Sequence, residues 1–344
     1  MSGLPVTSAA QSGFALGPIV RHSLFRPLAA LAVLLLIDLC TIPGFFHLTI
    51  KDGHLYGSLI DIVNRAAPLM LAAIGMTLVI ATRGIDISVG AVVALSGTVA
   101  AMLIGGGPEA ETPMLWAMAA GIGAALLCGL WNGILVASLG LQPIVATLIL
   151  MVAGRGLAQL LTDGQIVTVY HEPFFMLGGG YLFGLPFSLT VVALVFALVA
   201  FMMRRTALGL FIQAVGINPV AARLAGLKTA TLIVFVYIFC AACAGLAGLM
   251  ISSNIKSADA NNAGLLLELD AILAVTLGGT SLAGGKFSLV GSVIGALIIQ
   301  TLTYTIYSLG VPPEVNMVVK SIVVFLVSLS QSDEFKQMFA RRAA

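Results

Sequence analysis

The chain has 344 residues, 60% of them hydrophobic and only 9% charged, with a mean hydropathy of +1.11. A soluble domain carries about 25% charged residues, so 16 basic and 14 acidic side chains cannot furnish a water-facing surface of this size; single soluble cores stop growing near roughly 250–300 residues. Lipid is the solvent for most of the chain, and a net charge of +2 with scattered basic residues leaves no footprint for nucleic acid.

At about 20 apolar residues per spanning helix, the chain reads as an all-α integral membrane protein of about ten spans. The first is Pro27–Phe46, followed by Ile60–Ala81 and Val89–Gly105. Next come Pro113–Leu139, Pro143–Leu161, Pro186–Met203 and Thr229–Ser252. Leu266–Gly279, Phe287–Leu309 and Pro313–Ser330 complete the set. Pro113 after Thr112, Pro143 after Gln142 and Pro313 after Pro312 are helix-start signals. The eighth segment is short and interrupted at Gly278 and Gly279, as a broken or re-entrant helix would be. No small-residue cleavage site follows the first apolar stretch, which therefore reads as a retained helix.

Basic residues set the orientation. With the N-terminus inside, the cytoplasmic segments hold Arg21, Arg26, Arg83, Arg204, Arg205, Arg223, Lys228, Lys286, Lys336, Arg341 and Arg342. Only Lys51, Arg65, Arg155, Lys256 and Lys320 fall elsewhere, so both termini are expected in the cytoplasm. Residues 1–26 form a cytoplasmic N-terminal segment, 27–330 a single transmembrane domain with one long inner loop at 204–228, and 331–344 a cytoplasmic tail.

Between the second and third spans, Gly84-Ile-Asp-Ile-Ser-Val-Gly90 offers Asp86 or Ser88 as acceptors for free N–H groups of the third helix. Gly285-Lys-Phe-Ser-Leu-Val-Gly291 matches that run at one constant offset, a faint internal repeat. Gly129-Leu-Trp-Asn-Gly133 and Gly291-Ser-Val-Ile-Gly295 have the spacing that lets membrane helices approach closely, and tight internal packing is the expected use. Cys240 and Cys243 form a C-x-x-C inside an apolar helix, where buried small residues are the default. The four histidines lack metal-ligand spacing, no nucleophile, base and acid stand together, and Gly279–Phe287 fails the phosphate-loop pattern by one residue and a missing hydroxyl. No catalytic, cofactor-binding or metal residue is therefore assigned, and any ATP is bound by another subunit.

Polar groups inside apolar spans are costly and mark function. Asp38, Asn132, Arg155, Gln159 and Gln300 lie within spans, with Asn64 and Arg65 at an outer edge. Glu268 and Asp270 open the eighth segment, just after Ser257-Ala-Asp-Ala-Asn-Asn262. Amides and carboxylates suit hydroxyl-rich solutes, which both donate and accept. Asn132, Asn261, Asn262, Glu268 and Asp270 are the candidate solute pathway; the alternative is that such groups pair locally or snorkel outward.

The inner loop is the most specific feature. Ala214-Val-Gly216-Ile-Asn218-Pro-Val-Ala221-Ala222-Arg223-Leu-Ala225-Gly226 predicts a short Ala-rich helix after Pro219 that stops at Gly226. Small on its surface and fringed with Arg and Lys, it is shaped to dock in a cleft of another protein. This stretch resembles the coupling segment of the permease subunits of bacterial ABC sugar importers, the branch that includes ribose, xylose and galactofuranose systems. Gly84–Gly90, Gln142-Pro-Ile-Val-Ala-Thr147 and Glu268-Leu-Asp-Ala-Ile-Leu-Ala with Gly278-Gly-Thr-Ser-Leu282 also look like that family, in order, over about residues 55 to 330. Asn64-Arg-Ala-Ala-Pro68, Gly75–Thr82, Gly129–Val136 and Ala258–Gly264 look closest to its galactofuranose members. Arg83 and Phe287 depart from the pattern, each standing where members usually carry Gly.

The resemblance implies a vitamin B12-importer-like bundle in the bacterial inner membrane. It implies pairing with a second copy or a sister permease, two ABC ATPase subunits, and a periplasmic sugar-binding protein. Gly216, Asn218, Ala221, Ala222, Arg223 and Gly226 carry over as the ATPase-coupling segment. An ion-coupled secondary transporter is the alternative, separable because its uptake follows an ion gradient and survives loss of any ATPase. An integral membrane enzyme is a more distant one, and would show an acid, His or metal cluster at one membrane face.

Overall fold

The computed structural model describes residues 24–51, 53–105, 112–312, 315, 317–322, 325 and 326. The tail 331–344, the helix start at Pro313 and all but residues 24–26 of the N-terminal segment lie outside the described residues. The helices bounded within the described residues are, in order, α1 (Phe25–Thr41), α2 (Ser58–Ala81), α3 (Val89–Ile104), α4 (Met114–Ala137), α5 (Pro143–Leu161), α6 (Glu172–Gly179), α7 (Phe187–Arg205), α8 (Leu208–Ile217), α9 (Pro219–Leu224), α10 (Thr229–Ile255), α11 (Leu267–Leu277) and α12 (Leu289–Ser308). Short antiparallel pairs join the ends: β1 (Thr49–Lys51) with β2 (His54–Tyr56), β3 (Val167–Thr168) with β6 (Ser257–Ala258), and β4 (Tyr181–Leu182) with β5 (Leu185–Pro186).

Among the described residues, α2, α4, α5, α7, α10 and α12 are long and apolar enough to cross a membrane. Three of the other expected spans are shorter: α1 has 17 residues, α3 has 16 and α11 only 11. At about 1.5 Å per residue, α11 covers roughly half of a 30 Å hydrocarbon layer. The tenth expected span is described only in part, with 317–322 helical. Pro143 opens α5 after Gln142 as expected, whereas α4 opens at Met114 with Pro113 at the N-cap, so Thr112 does not cap it.

Two apolar helices form the axis of the bundle. From Ala66 to Ala81 nearly every residue of α2 is buried, and α10 lies between α2, α3 and α4. Small residues make this possible. A Cβ on Gly129 would meet the Tyr237 carbonyl and Ile238 Cα at 2.7 Å, and one on Gly133 would meet Val234 Cα at 2.8 Å, so this glycine pair seats α4 on α10. Gly291 and Gly295 do the same between α12 and α11, against Gly278 and Ala274. Both glycine pairs thus serve packing within one subunit. Cys240 and Cys243 are buried free thiols, Cys240 against Gly75. Asp38, fully buried in α1, accepts from Thr305 Oγ1 at 2.6 Å, the local-pairing outcome for an intramembrane acid.

Two breaks interrupt the helices inside the bundle. The chain leaves α2 through Arg83, in the left-handed region at φ 65°, and returns to helix only at Val89. Because Gly84 abuts Tyr237 and Val93 abuts Gly248, α3 begins beside the middle of α10 rather than at its end. The second break follows α10, where Lys256 (φ 56°) and Leu266 (φ 62°) bracket a polar turn before α11.

Candidate coupling segment and solute pathway

Asn218 separates α8 from α9 and caps the second. Its Oδ1 accepts from Val220 N and Ala221 N, both at 3.0 Å, and Pro219 occupies the first helical position, where a missing N–H costs nothing. At the far end Gly226 adopts φ 87°. Its N–H donates to Arg223 O at 3.0 Å and the Leu227 N–H donates to Ala222 O at 3.1 Å, the paired bonds of a Schellman stop. A six-residue helix is thereby fixed at both ends by sequence-local chemistry.

The expected coupling residues divide by what they touch. Gly216 is buried: a Cβ there would collide with the Ala81 carbonyl and come within 2.5 Å of Gly285 N. Ala222 is also buried, turned toward the bundle. Asn218, Ala221, Arg223 and Gly226 are exposed. So are three large apolar side chains absent from the expected set: Ile217, Val220 and Leu224, the last 85% exposed. Val220 and Leu224, four apart, share one face of α9, and Ile217 ends α8 just before it; the sequence reading passed over all three in favour of the small residues. Helix α9 thus presents an exposed apolar face beside Arg223, on a short capped helix between spans.

Deeper in the bundle, Asn132 meets the first break. Its Nδ2 donates to Ser88 Oγ at 2.9 Å and, more weakly, to Asp86 Oδ1 at 3.4 Å. Ser88 donates to Asp86 Oδ1 through both N (3.0 Å) and Oγ (2.6 Å), and all three residues are buried. Asp86 therefore serves its own turn and Ser88 makes no side-chain cap, in place of the expected capping of α3. Thr147 Oγ1 on α5 accepts from Ile87 N at 3.1 Å and completes the turn. Among the described residues Asn132 Oδ1 and the Tyr237 hydroxyl have no hydrogen-bond partner.

A cavity of about 440 Å³ lies between α3, α5 and the second break. Arg155, Gln159, Asn261 and Glu268 line its polar side; Ala91, Met151, Val152 and Leu265 line its apolar side. Arg155 holds the wall together, its Nη1 donating to Ala263 O (2.6 Å) and Ala260 O (3.1 Å) and its Nη2 to Gly90 O (3.4 Å). Gln159 Nε2 donates to Asn261 Oδ1 at 2.8 Å, and buried Glu268 lies against Gly90. The sequence set therefore does not form one constellation. Asn261 and Glu268 share the cavity, while Asn132 belongs to the separate Asp86–Ser88 network. Asn262 donates to Asp259 Oδ2 at 2.8 Å within the turn, and Asp270 pairs with Lys320 at 2.5 Å. Although partial burial pulls the other way, bonds from Asn262 and Asn261 and the Arg155 charge hold the Asp259 carboxyl below its ordinary range. A second cavity, of about 310 Å³, opens between α2, α7, α10 and α12, lined by Asp61, Asn64, Arg65, Ser188, Asn254 and Gln300.

This bundle of closely packed spans with a capped inter-span helix accords with residues 58–328 matching the family described as branched-chain amino acid transport system / permease component. The chain belongs to that permease family. Its relatives include the galactofuranose transporter permease protein YtfT of Escherichia coli K12, 53% identical over 90% of this chain and 89% of that one. The fructose import permease protein FruF of Bifidobacterium longum is 38% identical over 90% and 88% of the two chains. The ribose import permease protein RbsC of Escherichia coli K12 is 38% identical over 88% and 92%. No solved structure matches. The permease is thus a multi-pass membrane protein of the ABC transporter class, and the resemblance drawn from its motifs is the family it belongs to.

Proposed function

We propose that this permease is the membrane subunit of an ATP-driven importer that carries a monosaccharide, galactofuranose or a related sugar, across the bacterial inner membrane. The observation that carries the reading is the docking helix α9, capped at both ends and presenting Val220 and Leu224 outward. A short helix fixed at both ends, with an apolar outer face, is a handle that a separate ATPase subunit can grip. The names of the sugar permeases to which the chain is 38–53% identical support the cargo class.

In this reading the subunit has ten spans in a vitamin B12-importer-like arrangement, with the shorter helices α1, α3 and α11 and the span after α12 completing the count. It pairs with itself or a sister permease, stands on two ATPase subunits, and receives sugar from a periplasmic binding protein. Gln159, Asn261, Arg155 and Glu268 supply donors and acceptors along the sugar's path, and the apolar wall takes the ring's C–H faces. ATP binding and hydrolysis shift the equilibrium between outward- and inward-open states, acting only through their different affinities for the two.

The test is uptake of radiolabelled galactose and ribose into proteoliposomes holding the permease, its ATPase and the binding protein. Uptake that requires ATP and ignores a collapsed proton or sodium gradient supports the reading. Uptake driven by an ion gradient without the ATPase refutes it.

A further inference from the structure

Arg83 joins three segments that lie far apart in sequence. Its Nε donates to Gly216 O at 2.6 Å and its Nη2 to Ile217 O at 2.5 Å, the last two residues of α8. Those carbonyls belong to a helix end with no intrahelical donors left, and a guanidinium fork satisfies two of them while placing positive charge at the negative end of the helix dipole. On its other side, Arg83 Cγ lies against Gly284, where an added Cβ would approach it to 2.5 Å. The Gly285 N–H donates to Ala81 O at 2.9 Å, so the α11–α12 loop is tied to the same point.

The backbone of Arg83 is itself constrained. At φ 65° it occupies the left-handed region, which an L side chain enters only when its surroundings hold it there. Three residues onward is Asp86, the buried acceptor of the turn that opens α3, and Asn132 binds that turn from α4. Thus one side chain connects the end of α8, immediately before the docking helix, to the turn from which α3 starts.

We propose that Arg83 is a positioning residue that transmits movement of the docking helix into the α2–α3 turn, and so sets how much transport each ATP cycle yields. The proposal rests on the reading of α9 as the ATPase-docking helix. Without the fork, α8 and α9 can shift against the turn and the displacement is absorbed at Gly216 instead of being passed to Asp86 and Asn132. Lys cannot replace it fully, since an ammonium is a point donor and cannot span two carbonyls in a fixed plane.

The experiment uses the complete transporter in proteoliposomes, with galactose and ribose as probes. It measures sugar carried per ATP hydrolysed alongside affinity for the ATPase subunit. Arg83→Gly removes the fork and relaxes the left-handed backbone, two effects of opposite sign on stability, so a melting curve in detergent accompanies it to show that the variant is folded. Its ATPase affinity should stay within about twofold while sugar per ATP falls at least about fivefold, the lower end of ordinary coupling energies. Arg83→Lys should fall between the two, recovering part of the loss. Transport per ATP unchanged in Arg83→Gly overturns the proposal, as does a loss matched by an equal loss of ATPase binding, which would make Arg83 a part of the docking surface only. If Arg83→Gly does not assemble, Arg83→Lys decides, an unchanged ratio again being fatal. The docking reading fails separately, if Leu224→Asp binds the ATPase as well as the unaltered chain does.

Discussion

Removing the cap of α9 isolates what holds that helix. Asn218→Ala deletes the acceptor of two N–H groups, Val220 and Ala221, in a helix only six residues long. The position is exposed, so no cavity forms and no buried group is orphaned; the lost cap is the whole effect. Cap deletions cost about 1 kcal/mol, which raises the local opening constant about fivefold. Amide hydrogen exchange of residues 220–225 in the detergent-solubilised permease should accelerate by about that factor, with α2 and α10 unaffected. Asn218→Asp keeps an acceptor and adds a negative charge at a helix N-terminus, so its exchange should match the native chain or slow. ATPase affinity should change less than exchange does, because apparent affinity follows the folded fraction and that fraction stays near one. Equal exchange in Asn218→Ala and the native chain would show that tertiary contacts alone hold α9, and the capping argument would fail.

Other expectations concern different parts of the molecule. Val220→Asp and Leu224→Asp should leave thermal stability unchanged, since both side chains are exposed, yet cut ATPase binding more than about thirtyfold, as central interface residues do; normal binding would remove α9 from the interface. Gly216→Ala should destabilise by about 1–3 kcal/mol through its collision with Ala81 and Gly285, whereas Gly123→Ala, with open space at its Cβ, should gain about 0.5–1 kcal/mol of helix propensity. Paired melting curves in detergent check the contrast. Gln159→Leu or Asn261→Ala should raise the sugar concentration for half-maximal uptake about fivefold, one hydrogen bond each, without altering the melting curve. Because the folded state lowers the pKa of Asp259, the stability gap between the native chain and Asp259→Asn should be present at neutral pH and above the ordinary carboxylate range. It should disappear as pH falls below about 4; a gap that grows on acidification would reverse the assigned sign.

Much of this was legible in the chain itself. Sixty per cent hydrophobic residues with 9% charged specify lipid as the solvent, since no folding rearranges that ratio into a soluble surface. Helix α9 was equally local: Asn218, Pro219 and Gly226 act on backbone groups within four residues, so their spacing determines the element before any packing exists. The glycine pairs on α4 and α12 likewise announced close helix contacts, through the one feature, a missing Cβ, that sequence states outright.

Tertiary structure decided what each exposed or polar residue is for. Gly216 and Ala222 read as surface by their size, and only the approach of Ala81, Gly285 and the bundle shows that they face inward and leave Ile217, Val220 and Leu224 outside. Asp270 looked like a pathway acid until Lys320, fifty residues on, came within hydrogen-bonding distance. Arg83 stood out in the sequence only as a departure from the pattern, and what it binds was not legible there, because its partners lie more than 130 residues away. Caps and helix starts are fixed by neighbours along the chain, whereas the role of a charge is fixed by its neighbours in space, and those exist only once the helices have packed.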